Sequence, residues 1–267
     1  MAVTFFTCAD RAYEPFVLPY AASALIANPD DTVVEFCLER PRQFELANAD
    51  AIGLLSDKFG PHRVRFKRGN FEGWPANSVR FLETPTTLTE FTYIGDIDIL
   101  LLEPTARPHL AQMAKTGLPY SNVVRPTPPA RLSGLHFTRS DVHYPLPVIT
   151  DSTALRIDEH LLYLQVEAKG LPLPDPAERF RPAHGIHFSL NRPVKRQGRT
   201  DWGVSLPLAQ GYLKLRKNPT WRSLLPLFDR RYLTLLTLLE TAMEAHFPDL
   251  DVETDRPKEY SLRRLLD

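Results

Sequence analysis

Tyr93-Ile94-Gly95-Asp96-Ile97-Asp98-Ile99-Leu100-Leu101-Leu102-Glu103 is an apolar run interrupted by two acids. Rich in Ile and Leu, it reads as a buried strand of an α/β sheet. Side chains two apart on a strand share a face, roughly 6.6 Å apart along the backbone. Asp96 and Asp98 then point one way and Ile97 the other. Two carboxylates so placed can share one hard divalent cation, and burying them without a partner is costly. Gly95 removes a side chain where a ligand or another backbone comes close. A strand end with two solvated acids has the same pattern, so the rest of the chain must decide.

Upstream, apolar segments alternate. Residues 2–8 read as a strand and 15–28 as a helix, with Pro19 near its first turn. Residues 32–38 form a second strand, 41–59 a helix closed by Gly60-Pro61, and 64–67 a short third strand. This order indicates an α/β fold with a mostly parallel, Rossmann-like sheet flanked by helices. Residues 78–84 read as a short helix carrying Arg80, and 106–116 as a helix ended by Gly117. Residues 120–124 and 134–138 read as strands and 158–169 as a helix. Residues 171–220 read as loop-rich and 221–246 as helical, with Pro226 a break. Ligands of open parallel sheets sit beyond the carboxyl ends of the strands. Asp10 and Tyr13 follow the first strand, so the fold class alone can bring them to the acidic pair.

The 267 residues are 43% hydrophobic, enough for one large α/β domain or a domain with an appended lobe. The formal net charge is zero, which argues against bulk electrostatic binding to nucleic acid. Cys8 and Cys37 are the two cysteines. They imply no disulfide framework or thiolate zinc site, and a cytoplasmic location is the expectation. The N-terminus lacks a basic signal-peptide region, and no run of 18 apolar residues is present to span a membrane.

Ala9-Asp10-Arg11-Ala12-Tyr13, followed by Arg80 and then the Asp-x-Asp run, resembles the nucleotide-sugar glycosyltransferases of the GT-A fold. Glycosyltransferase family 8, which includes bacterial lipooligosaccharide galactosyltransferases, is the most similar. The resemblance extends over motifs in residues 2–193. It implies a GT-A catalytic domain over residues 1–205 and a helical C-terminal extension over 206–267. Asp10, beside Ala9, would bind uracil or ribose. Tyr13 would stack on the base, an interaction worth roughly 1–3 kcal/mol. Arg80 would hold the acidic pair or the donor sugar. Leu132-Ser133-Gly134-Leu135-His136 is similar to the family's small-residue segment at the sugar site. Asp158-Glu159 is similar to its acidic-polar pair, here with Glu where Gln is frequent. Asp158 would grip sugar hydroxyls and Glu159 would sit near the anomeric carbon, although Asp158 also reads as a helix cap.

A third metal ligand would come from a late histidine. His187, ahead of Arg192-Pro193, is one residue short of the family spacing, and His184 is the alternative. Arg192 would neutralise the diphosphate. Two departures stand out: Tyr93 lies three before Asp96 rather than two, and the Trp that follows the Lys-Pro pair is absent. The resemblance further implies a Mn²⁺ or Mg²⁺ cofactor, a UDP-sugar donor, retention of configuration and a glycan or lipid-linked acceptor. Lys214, Arg216, Lys217, Arg222, Arg230 and Arg231, among Trp221 and Phe228, suggest peripheral contact with an anionic membrane face. Two rival readings remain: a sugar nucleotidyltransferase, disfavoured because residues 7–13 contain no glycine, and a non-catalytic nucleotide-sugar or glycan-binding protein.

Overall fold

The computed structural model describes residues 1–125, 128–180, 182, 184–188 and 203–250. The chain starts with strand β1 (Val3–Ala9), a 3₁₀ turn Glu14–Phe16 and helix α1 (Val17–Ala27). Strand β2 (Thr32–Leu38) pairs in parallel with β1 over its whole length. The helix expected over 41–59 is two helices, α2 (Pro41–Ala47) and α3 (Ala49–Phe59). Asn48 causes the break: its side-chain Nδ2 donates to the Phe44 carbonyl at 2.8 Å, competing with the helical ladder. Strand β3 (Val64–Arg68) pairs with β2, and α4 (Ala76–Leu82) carries Arg80.

The stretch expected as one strand over the acidic pair is two strands in two sheets. Strand β4 (Phe91–Ile94) continues the main sheet beside β1, and β5 (Ile99–Leu101) leaves it. Gly95 to Asp98 is the crossing between them. The two acids therefore do not alternate along a strand but sit on the turn that joins two strands. At Gly95 an added Cβ would lie 2.8 Å from the Tyr93 ring. Hence the chain can fold back over its own tyrosine only with glycine there.

Next come α5 (Ala106–Thr116), ended by Gly117 at φ 70°, and β6 (Tyr120–Ser121). A two-stranded ribbon follows, β7 (Val124–Arg125) with β8 (Arg131–Leu132). After it come β9 (His136–Arg139), α6 (Ser140–His143) and α7 (Asp158–Ala168). The main sheet has order β3-β2-β1-β4-β9-β6, with β9 antiparallel to both neighbours. This is the α/β class expected, a mostly parallel central sheet with helices around it.

Strand β10 (Gly185–His187) pairs antiparallel with β5. Helix α8 (Leu206–Lys217) lies in the region expected to be loop-rich. Helices α9 (Pro219–Leu224) and α10 (Arg230–His246) follow, separated by residues 225–229 around Pro226. Tyr212, Trp221, Phe228 and Tyr232 join Phe5, Phe16, Phe36 and Phe188 in one core. Burying each such side chain contributes about 1.5–3 kcal/mol. Trp221 and Phe228 are thus core residues rather than outward anchors. Arg216 is buried beside Glu240, 3.2 Å away, rather than part of an exposed basic face. Tyr232 meets Phe16 edge-on at 5.6 Å, which braces the turn that presents Tyr13. Among the described residues no helix is long and apolar enough to cross a membrane.

Candidate active site

The carboxyl ends of β1 and β4 lie side by side. Thr7 Oγ1 donates to the Gly95 carbonyl at 2.9 Å, tying the two strand ends together. Beyond them opens a cleft of about 490 Å³ lined by Asp10, Tyr13, Arg80, Asp96, Asp98, Asp158, Glu159 and His187, among others. This volume lies in the range of small-molecule sites. Ala9 is fully buried in β1 and is not part of the lining.

Asp10 Oδ1 accepts from the amides of Ala12 and Tyr13 at 3.0 and 3.1 Å. This side-chain turn lifts Tyr13 into the cleft wall. Burial raises the Tyr13 hydroxyl pKa, and the charges of Asp98, Asp10 and Asp96 raise it further.

Arg80 is buried at 3% exposure, with both ends of its guanidinium occupied. Nη1 donates to Asp96 Oδ1, and Nη2 donates to Asp158 Oδ2 at 2.7 Å. Burial works against its charge, but Asp96 and Asp158 outweigh it and hold the guanidinium protonated. Gly134 makes the arrangement possible, because a Cβ there would lie 2.7 Å from Arg80 Nη2. The small-residue segment thus packs on the arginine, and Gly134 itself borders the cleft.

Asp96, Asp98 and His187 each offer one ligand atom, all within 4.8 Å of one another. His187 Nε2 lies 2.9 Å from Asp98 Oδ1 and 3.9 Å from Asp96 Oδ2. The Phe188 amide donates to the Asp98 carbonyl at 2.7 Å, so Asp98 holds this strand end by backbone as well. Two carboxylates and one imidazole suit a divalent cation. His184, the alternative ligand, is outside this cluster. It is buried, with Nε2 2.8 Å from His109 Nε2. Arg192 lies outside the described residues.

Glu159 is fixed by Arg125, whose Nη1 is 2.8 Å from Oε2, and by the Gly134 amide at 3.3 Å. Arg131, opposite Arg125 in the β7–β8 register, is 4.0 Å from the same oxygen. Sequence reasoning missed Arg125 and Asn77, both in the cleft lining. No local pattern marks Arg125, which meets Glu159 across 34 positions. Cys8 also borders the cleft, but burial pushes its thiol up to about 12 against the pull of Arg80, so it is no nucleophile at neutral pH.

No family model matches the chain, and no curated protein matches it. Among solved structures it is similar to an active-site mutant of LgtC, with 16% identity and a TM-score of 0.40 over 53% of this chain and 58% of that one. It is similar to the galactosyltransferase LgtC in complex with donor and acceptor sugar analogues, with 17% identity and a TM-score of 0.39 over 52% of this chain and 58% of that one. It is also similar to CMP:2-keto-3-deoxy-manno-octonic acid synthetase complexed with CTP, with 14% identity and a TM-score of 0.40 over 64% of this chain and 87% of that one. The match to LgtC thus spans little more than half of LgtC, and likeness at this level assigns no activity.

Proposed function

We propose that the protein is a metal-dependent glycosyltransferase that moves a hexose from a UDP-sugar to a glycan or lipid-linked acceptor with retention of configuration. One observation carries the reading: the Asp96–Asp98–His187 cluster opens into the same cleft as Asp10, Tyr13 and the Arg80–Asp158 pair.

The cleft wall carries five carboxylates, Asp10, Asp96, Asp98, Asp158 and Glu159, against the guanidiniums of Arg80 and Arg125. A diphosphate would be repelled by that surplus unless a cation enters with it. Asp96 Oδ2, Asp98 Oδ1 and His187 Nε2 would hold it, and the single nitrogen favours Mn²⁺. When bound, it would offset the negative charge that grows on the leaving diphosphate. Tyr13 stacks on the uracil. Asp10, with Oδ1 engaged in its turn, offers Oδ2 to the base or ribose. Arg80 keeps Asp96 and Asp158 at fixed separation. Asp158 takes sugar hydroxyls, and Glu159 steadies positive charge at the anomeric carbon. Arg192 is proposed as the diphosphate clamp. Lys214, Lys217, Arg222, Arg230 and Arg231 are proposed to rest on an anionic membrane face.

The test is Mn²⁺-dependent hydrolysis of UDP-hexoses, with UDP binding followed by calorimetry. Turnover by the wild type, together with loss of metal-dependent UDP binding in folded Asp96→Asn, Asp98→Asn protein, supports the proposal. Unchanged UDP affinity in that variant overturns it. Tight donor binding without turnover across acceptors identifies a binding module instead.

A further inference from the structure

His187 ends β10, a strand of only three residues. Gly185 stands opposite Leu101 and His187 opposite Ile99 on β5. The fit is so close that a Cβ on Gly185 would lie 1.8 Å from the Leu100 carbonyl oxygen. A two-stranded ribbon this short is marginal on its own. Its other end is His184, held at φ 58°, in the left-handed region that side chains other than glycine rarely adopt. The His184 carbonyl accepts from the amides of Leu102 and Glu103 at 2.8 and 3.2 Å. Its ring reaches His109 on α5, with 2.8 Å between the two Nε2 atoms.

His109 is itself fixed. Its Nδ1 lies 2.8 Å from Ser121 Oγ, and its ring is parallel to Phe137 with centroids 5.0 Å apart. A bond between two Nε2 atoms needs one protonated and one bare nitrogen, so at least the accepting ring is neutral. The Ser121 hydroxyl donates or accepts and satisfies either tautomer. Burial, then the charge of His184, lowers the His109 pKa to about 2, and burial lowers that of His184 to about 4.

We propose that His109 is a positioning residue for the cation site: its bond to His184 pins the start of β10 and so holds His187 Nε2 against Asp98. The proposal rests on the reading of Asp96, Asp98 and His187 as cation ligands. His109 does not line the cleft, so its effect passes through what it braces: the strand, by way of His184, and Tyr93, whose ring centroid is 5.7 Å away.

Three variants of the full chain test it. His109→Phe keeps an aromatic ring against Phe137 and removes both nitrogens. His109→Gln returns a hydrogen-bonding group toward His184. His184→Gly removes the imidazole while easing the positive φ. Two readouts are taken: hydrogen exchange of the Phe188 amide without metal, and Mn²⁺ affinity by calorimetry. In His109→Phe and His184→Gly the Phe188 amide should exchange faster while β1 and β2 amides keep their protection. The Mn²⁺ Kd should rise about tenfold, as for loss of an outer support of a metal ligand. His109→Gln should recover most of both. If His109→Phe does not fold, His184→Gly carries the test. Unchanged Phe188 exchange and Mn²⁺ affinity, or exchange that quickens equally in β1, overturns the proposal while leaving the cation site standing. Failure of the wild type to bind Mn²⁺ overturns the cation reading and this proposal together.

Discussion

Arg80 and Asp96 are joined side chain to side chain at the cleft floor, Nη1 donating to Oδ1, so Asp96 shows only its Oδ2 to His187. Removing the guanidinium in Arg80→Gln leaves Asp96 and Asp158 facing each other without their shared cation. We expect a loss of about 3 kcal/mol in urea unfolding. Added Mn²⁺ should restore part of it, because a bound cation supplies the missing positive charge. A loss that Mn²⁺ does not change would separate Arg80 from the metal cluster.

Gly134→Ala places its methyl group 2.7 Å from Arg80 Nη2. Gly134 has no positive φ, so the backbone accepts alanine and the effect falls on the arginine. The expected destabilisation is about 1–3 kcal/mol, with turnover of UDP-sugar falling more than stability accounts for. A variant with wild-type turnover would show that Arg80 can move aside freely.

Tyr13→Ala should weaken UDP by roughly 1–3 kcal/mol, the usual value of a base stacked on an aromatic ring. Inorganic diphosphate should be affected far less. Competition calorimetry compares the two, and equal losses would remove the stacking role.

Four histidines are buried, and burial works against their charged form. Burial lowers His109 to about 2, His143 to about 3 and His184 to about 4, each from 6.5, and His136 moves the same way. Below pH 6.5 the unfolded chain takes up protons that the folded chain refuses, so stability is fully present above pH 6.5 and falls as pH drops toward 4. Each group contributes up to about 1.4 kcal/mol per pH unit. Urea midpoints at pH 7, 6 and 5 should therefore decline. A flat profile would mean that these rings are charged or hydrated in the fold.

The alternation of strands and helices up to Arg68 was legible because each apolar run is bounded by Pro, Gly or Asn. The acidic pair was visible too, but its setting was not: an apolar run from Ile97 to Leu102 looks the same whether it continues one strand or starts another. Helix α8 was hidden by Pro207 and Gly211, which read as loop residues. Pro207 sits in the first turn, where its missing amide costs nothing, and Gly211 lies inside the helix with room for an ordinary Cβ contact to Leu102. Spacing alone could not choose between His184 and His187, because the choice depends on His109, 75 positions away. Arg125 escaped for the same reason.

Asp98 grips the end of β10 twice, by carboxylate to His187 and by carbonyl to Phe188. The cradle is thus assembled ahead of its guest. Uptake of an ion would require little ordering of the chain, but it would replace the His187–Asp98 contact and need a bare Nε2, so part of the interaction would offset that loss. Without an ion, the two residues close on each other and leave neither charge facing an empty cleft.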